Sequence, residues 1–83
     1  MYEPYEIQVF HSPECPACTE QLRLLRRWST FIPIRLVNVD KLPAYEKAAN
    51  IEATPTTVLI RQGAEVRRWV GIVTPASIVA HLV

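Results

Sequence analysis

The order of its apolar patterns constrains this chain more than any other feature. Two short strand-like runs, Ile7-Gln8-Val9-Phe10 and Ile34-Arg35-Leu36-Val37-Asn38-Val39, flank a helix-length segment from Pro16 to about Ser29. Ile7 to Phe10 alternates apolar and polar residues, the two-residue period of a pleated strand. In the segment between, Cys18, Leu22, Leu25 and Trp28 recur at helical spacing, while Arg23, Arg26 and Arg27 fall largely elsewhere. A strand, a helical crossover and a second strand make a parallel pair. The partly continuous apolar character of Ile34 to Val39 predicts a strand in the sheet interior.

Leu42 to Ala49 reads as a short alanine-rich helix, with Pro43 tolerated in its first turn. Thr56 to Ile60 is strongly β-branched. After Arg61-Gln62-Gly63-Ala64, the run Glu65 to Val70 returns as the second arm of a hairpin. Gly71 ends that arm, Thr74 precedes Pro75 as an N-cap would, and Ile78, Val79 and Leu82 give the last helix its apolar stripe. The predicted order is β-α-β-α-β-β-α, an α/β architecture with a four-stranded mixed sheet covered by three helices. Trp28 and Trp69 are expected to pack, and Tyr2 and Tyr5 to cover the sheet edge. Glu20 stands three residues before Arg23, so the arginine group on the first helix reads as a solvated face.

With 83 residues the chain is expected to form a single domain over 1–83, with a thin core. Nine Lys and Arg against eight Asp and Glu leave a net charge of +1, which gives no field for nucleic acid or anionic lipid. The uncharged stretch from Trp69 to Val83 is too short, and too interrupted by Gly71 and Pro75, to span a bilayer. The start, Met1 to Glu6, is acidic where a secretory leader is basic. The expectation is a cytoplasmic monomer with no membrane or nucleic-acid partner.

The chain holds two cysteines, Cys15 and Cys18, separated by Pro16 and Ala17. A disulfide scaffold in a small secreted domain would normally use four or more. This pair sits where the loop His11-Ser12-Pro13-Glu14 runs into a helix. Cys15 then falls in the N-cap region, where unpaired amides and the positive dipole end favour a thiolate. Cysteines so placed have pKa values of about 3.5–7.5. Pro16 suits a first-turn position, and the amides of Ala17 and Cys18 are free to face the sulfur. Cys18, on the apolar face, is the less accessible partner. The same spacing also serves a zinc half-site or an inert buried pair. Zinc needs four ligands, no second cysteine pair exists, and His81 lies at the far end of the chain from His11.

Taken with further residues, the motif resembles the thioredoxin superfamily over nearly the whole chain. The resemblance rests on Phe10-His11-Ser12-Pro13-Glu14-Cys15-Pro16-Ala17-Cys18, Val37-Asn38-Val39-Asp40, Ala53-Thr54-Pro55-Thr56, Gly63 and Val70-Gly71. The C-terminal half looks like thioredoxin. The Cys-Pro-x-Cys choice and the missing N-terminal strand and helix look more like glutaredoxin, and short redoxins combine both. The resemblance implies thiol-disulfide exchange with Cys15 attacking and Cys18 resolving. It implies a cis-proline at Pro55 and substrate contacts at Thr54, Pro55, Pro16 and Ala17. It also implies no cofactor beyond the Cys15–Cys18 dithiol. Disulfide-bearing proteins would be the clients, and a thioredoxin reductase-like protein or glutathione the electron donor.

Departures from the family pattern accompany the match. Glu14 stands where thioredoxins usually carry Trp, and beside Cys15 it weakly opposes a thiolate. The family's buried aspartate corresponds to Val9 and its lysine partner to Leu36, so water or His11 would relay the proton. A glutathione-dependent glutaredoxin is the nearest alternative. No cation clearly awaits glutathione's carboxylates, however, since Arg67 and Arg68 fall on the hairpin's return arm. A non-enzymatic domain in which two copies share a metal through their cysteine pairs is the further alternative.

Overall fold

The computed structural model describes residues 4–82. Its element order is β1 (Tyr5–His11), α1 (Pro16–Leu25), a 3-10 helix (Arg26–Thr30), β2 (Ile34–Asn38), α2 (Pro43–Ala48), β3 (Thr56–Arg61), β4 (Ala64–Val70) and α3 (Pro75–Val79). The strands form one sheet in the order β2-β1-β3-β4. β1 runs parallel to β2 and antiparallel to β3, and β3 runs antiparallel to β4. This is the mixed sheet with three helices expected from the sequence. The expectation for Tyr2 lies outside the described residues.

Strand alternation sorts the core into two layers. Tyr5, Ile7 and Val9 of β1 join Leu59 of β3 on one face, under Leu25, Ile32, Val73 and Ile78. Phe10 and Val58 point to the other face and pack with Val37, Val39, Ala49 and Ile51. Thus α1 and α3 cover one side, and the end of α2 covers the other. Burying each large apolar side chain contributes roughly 1.5–3 kcal/mol, so these two layers hold the sheet that presents the cysteines.

Three expectations need correction. β2 is an edge strand, not an interior one, and its Leu36 is 54% exposed. Its apolar run serves a groove against α1, lined by Leu22, Leu25, Ile34 and Leu36, instead of a sheet neighbour. Tyr5 is buried on the central strand β1, with Arg61 stacked 5.7 Å from its ring centroid, so it covers no edge. The first helix gives way to 3-10 geometry after Leu25. There Trp28, Ser29 and Thr30 are weaker helix formers, and the Ser29 hydroxyl donates to the Arg26 carbonyl at 3.0 Å.

Two terminations place the loops that matter. α2 ends in a Schellman arrangement: Asn50 takes φ 56°, Ile51 N–H donates to Glu46 carbonyl and Asn50 N–H to Lys47 carbonyl, both at 3.1 Å. Arg68 of β4 donates to the freed carbonyls of Ala49 (2.9 Å) and Asn50 (3.2 Å), and pairs with Glu65. In the hairpin, Gln62 and Gly63 both take positive φ, 52° and 82°, the two-residue turn that matches strand twist.

Candidate active site

Cys15 is the N-cap of α1, in extended backbone geometry with Pro16 next in the first turn. Its Sγ accepts the Cys18 backbone N–H at 3.1 Å, so sulfur fills the place usually taken by a capping oxygen. The two cysteines are joined as a disulfide, with Cα atoms 5.1 Å apart. Cys18 faces the core at 2% exposure, whereas Cys15 is half-buried and open on one side. Of the two amides expected to face the sulfur, it is that of Cys18 which bonds it. α1 carries no acidic residue in its first turn, so within the helix no carboxylate competes with the Cys15 sulfur for the positive dipole end.

The Ala53–Thr56 loop lies against this sulfur. The Thr54–Pro55 peptide is cis, as the resemblance implies, and Pro55 is fully buried. The Thr54 carbonyl oxygen is 3.8 Å and its Oγ1 3.9 Å from Cys15 Sγ. Oxidised sulfur carries no hydrogen, so the carbonyl contact is not a hydrogen bond in this state. The Ser12 hydroxyl is 3.3 Å from that of Thr54, joining the loop before α1 to the cis-proline loop. Thr56 Oγ1 donates to the Ala53 carbonyl at 2.6 Å, and Gly71 N–H donates to the Pro55 carbonyl at 2.8 Å. Among the described residues, the Thr54 N–H and C=O have no backbone partner.

The structure therefore brings together Cys15, Cys18, Thr54 and Pro55, with Pro16 exposed and Ala17 half-buried between the sulfurs. His11 ends β1, and its carbonyl accepts Val39 N–H at 2.9 Å. Among the described residues its imidazole makes no hydrogen bond to either sulfur. Glu14 is exposed in the loop. Val9 and Leu36 are register partners across β1 and β2, so the two positions that depart from the family pattern stand side by side. Of the arginines on the return strand, Arg68 is engaged with Glu65, which raises its pKa and lowers that of Glu65 through their hydrogen bond. Arg67 lies over the Trp69 ring, 6.0 Å from its centroid. No three His, Cys, Asp or Glu side chains converge among the described residues. No described helix is long and apolar enough to cross a membrane.

Sequence reasoning missed Gln21. It occupies the buried face of α1 at 0% exposure, beside positions assigned to Leu22 and Leu25. Its amide donates to the Val73 carbonyl at 2.9 Å and accepts Val73 N–H at 2.6 Å. The available signal was its place three residues after Cys18, one helical turn along the same face. Ser12 was missed as well, although it sits within the motif.

No family model matches the chain, and no curated protein matches it in sequence. Solved structures do. A thioredoxin from Nicotiana alata shares 25% identity, covering 95% of this chain and 74% of its own, with a TM-score of 0.86. A thioredoxin pre-protein from Schistosoma mansoni shares 24%, covering 95% and 79%, also at 0.86. A thioredoxin variant from Halobacterium salinarum shares 19%, covering 94% and 71%, again at 0.86. The chain has the thioredoxin-like fold.

Proposed function

We propose that this thioredoxin-fold chain is a thiol-disulfide oxidoreductase that reduces disulfides in other proteins through Cys15 and Cys18. The observation that carries the reading is the half-exposed Cys15 sulfur, which caps α1, bonds Cys18 and faces the cis Thr54–Pro55 loop. In the reduced protein the same cap stabilises a thiolate, since charge-assisted amide contacts are roughly twice as strong as neutral ones.

The Cys15 thiolate attacks one sulfur of a client disulfide, forming a mixed disulfide and releasing one client thiolate. Cys18 loses its proton to water and attacks Cys15 Sγ, releasing the second client thiolate and closing the Cys15–Cys18 disulfide. Two electrons pass to the client, and a donor returns them to the pair. The free backbone of Thr54 offers one donor and one acceptor to an extended client segment, which favours broad tolerance of side chains. Pro16 and Ala17 border the same sulfur.

The engagement of Arg68 by Glu65 and by the Ala49 carbonyl supports protein dithiol exchange over glutathione chemistry, because that guanidinium does not stand free for a carboxylate. A monomer of one domain acting in the cytoplasm with a thioredoxin reductase-like donor completes the reading. Turnover of insulin disulfides with thioredoxin reductase and NADPH, against turnover with glutathione and its reductase, tests it. The first should be faster. Cys15→Ser should abolish turnover, and Cys18→Ser should accumulate mixed disulfides visible by mass spectrometry. Full activity in Cys15→Ser would overturn the assignment, and stoichiometric zinc or iron in anaerobically purified protein would favour a metal-sharing domain.

A further inference from the structure

We propose that Gln21 is a positioning residue that fixes the Gly71–Val73 segment for a bound polypeptide, governing recognition of extended clients but not the reactivity of Cys15. This rests on the exchange function above and names what aligns its docking edge.

A primary amide in a protein core must be fully partnered or it destabilises the fold. Gln21 is wholly buried, and its two bonds to Val73 imitate the pairing of a neighbouring strand. The surrounding positions on this helix are apolar, so leucine would satisfy hydrophobic demand equally well. What leucine cannot do is hold a backbone.

Among the described residues, the backbone that it holds has no other regular support. Residues 71–73 lie between the end of β4 at Val70 and the start of α3 at Pro75. They have two anchors: Gly71 N–H on the Pro55 carbonyl at one end, and Gln21 on both polar groups of Val73 at the other. Between the anchors Ile72 is lifted to 49% exposure, an apolar side chain held at the surface. The helix that carries the cysteines is thereby tied to the segment that braces the cis-proline loop. Thr54, whose open backbone is the proposed docking point, is covalently next to Pro55. A client strand laid along Thr54 therefore meets a wall whose position Gln21 sets.

Two substitutions test this. Gln21→Leu keeps the volume and removes both bonds. Gln21→Glu keeps the acceptor, but its ionised carboxyl cannot donate to the Val73 carbonyl, and protonation restores that donor. With a disulfide-bearing polypeptide, KM in Gln21→Leu should rise about tenfold, the loss expected for a buried hydrogen-bonded contact. Alkylation of Cys15 by iodoacetamide, which needs no docking edge, should keep the wild-type rate. For Gln21→Glu, the KM ratio to wild type should fall as pH is lowered through the carboxyl's titration. This arm decides the matter if Gln21→Leu does not fold. An unchanged KM in folded Gln21→Leu, equal losses in KM and alkylation, or no recovery of Gln21→Glu at low pH would overturn the proposal. Wild-type protein without polypeptide turnover would sink the exchange function and this inference together, whereas wild-type turnover with indifferent variants would sink this inference alone.

Discussion

Gly71 donates its backbone N–H to the carbonyl of Pro55 at 2.8 Å, so the residue that ends one hairpin arm braces the proline opposite the cysteines. Gly71 holds this place at φ +88°, a conformation that L side chains rarely adopt, in space where an added Cβ meets nothing within 4 Å. The backbone, not crowding, selects glycine here.

Gly71→Ala should therefore lose about 1–2 kcal/mol of stability from backbone strain alone. Gly63→Ala, at φ +82° and equally open, should lose a similar amount. The two differ in position. Only Gly71→Ala should also raise KM for a polypeptide client, because only Gly71 touches the cis-proline loop. Urea unfolding with parallel kinetics checks both statements.

Thr57 carries a buried hydroxyl with no hydrogen-bond partner among the described residues, opposite Val9 in the β1–β3 register. Burying such a group without a partner costs about 1–3 kcal/mol. Thr57→Val, nearly the same shape, should raise the denaturant midpoint. A lower midpoint would mean that the hydroxyl has a partner in solution, an internal water for example.

Arg68 binds Glu65 and the carbonyls that α2 leaves open, and its hydrogen bond holds the Glu65 carboxyl below the usual range. A depressed folded pKa contributes stability above the unfolded value and loses it as pH falls through the folded value. The pair is partly exposed, so its contribution is below about 1 kcal/mol. Arg68→Met should narrow its stability gap from wild type as pH drops below the ordinary glutamate range. The carbonyl contacts should leave a residual gap that does not titrate. Unfolding curves across that range, at low salt, read both parts.

How much of this was legible in the sequence depended on whether the cause was local. Ile7 to Phe10 announced a strand because its period is two, and Thr74-Pro75 announced a helix start because capping is a matter of adjacent residues. The Schellman end of α2 has an equally local cause, Asn50 at positive φ, although no cap was expected there from the sequence. By contrast, nothing in Ile34 to Val39 says whether another strand lies beside it. Its edge position follows from the order of the whole sheet, which places Leu36 at the rim. Tyr5 was expected to cover an edge, yet it lies on β1, which the sheet order sets between β2 and β3, and its ring packs into the core.

The site divides in the same way. Cys15 and Cys18 were readable from spacing, and Thr54-Pro55 from resemblance. Gln21 was hidden because a polar residue on an apolar helix face is ordinarily read as a boundary of that face. Its partner is a backbone 52 positions away, which no periodicity reports. The Ser12–Thr54 hydroxyl contact, 42 positions apart, is invisible for the same reason.

The account stands on Cys15 being an acidic thiol because it caps a helix. Its most direct test is the pH dependence of alkylation at Cys15 in freshly reduced protein, followed by mass. The rate should rise with an apparent pKa inside about 3.5–7.5, the range of helix-capping cysteines. A pKa near that of free cysteine, about 8.5, would contradict it.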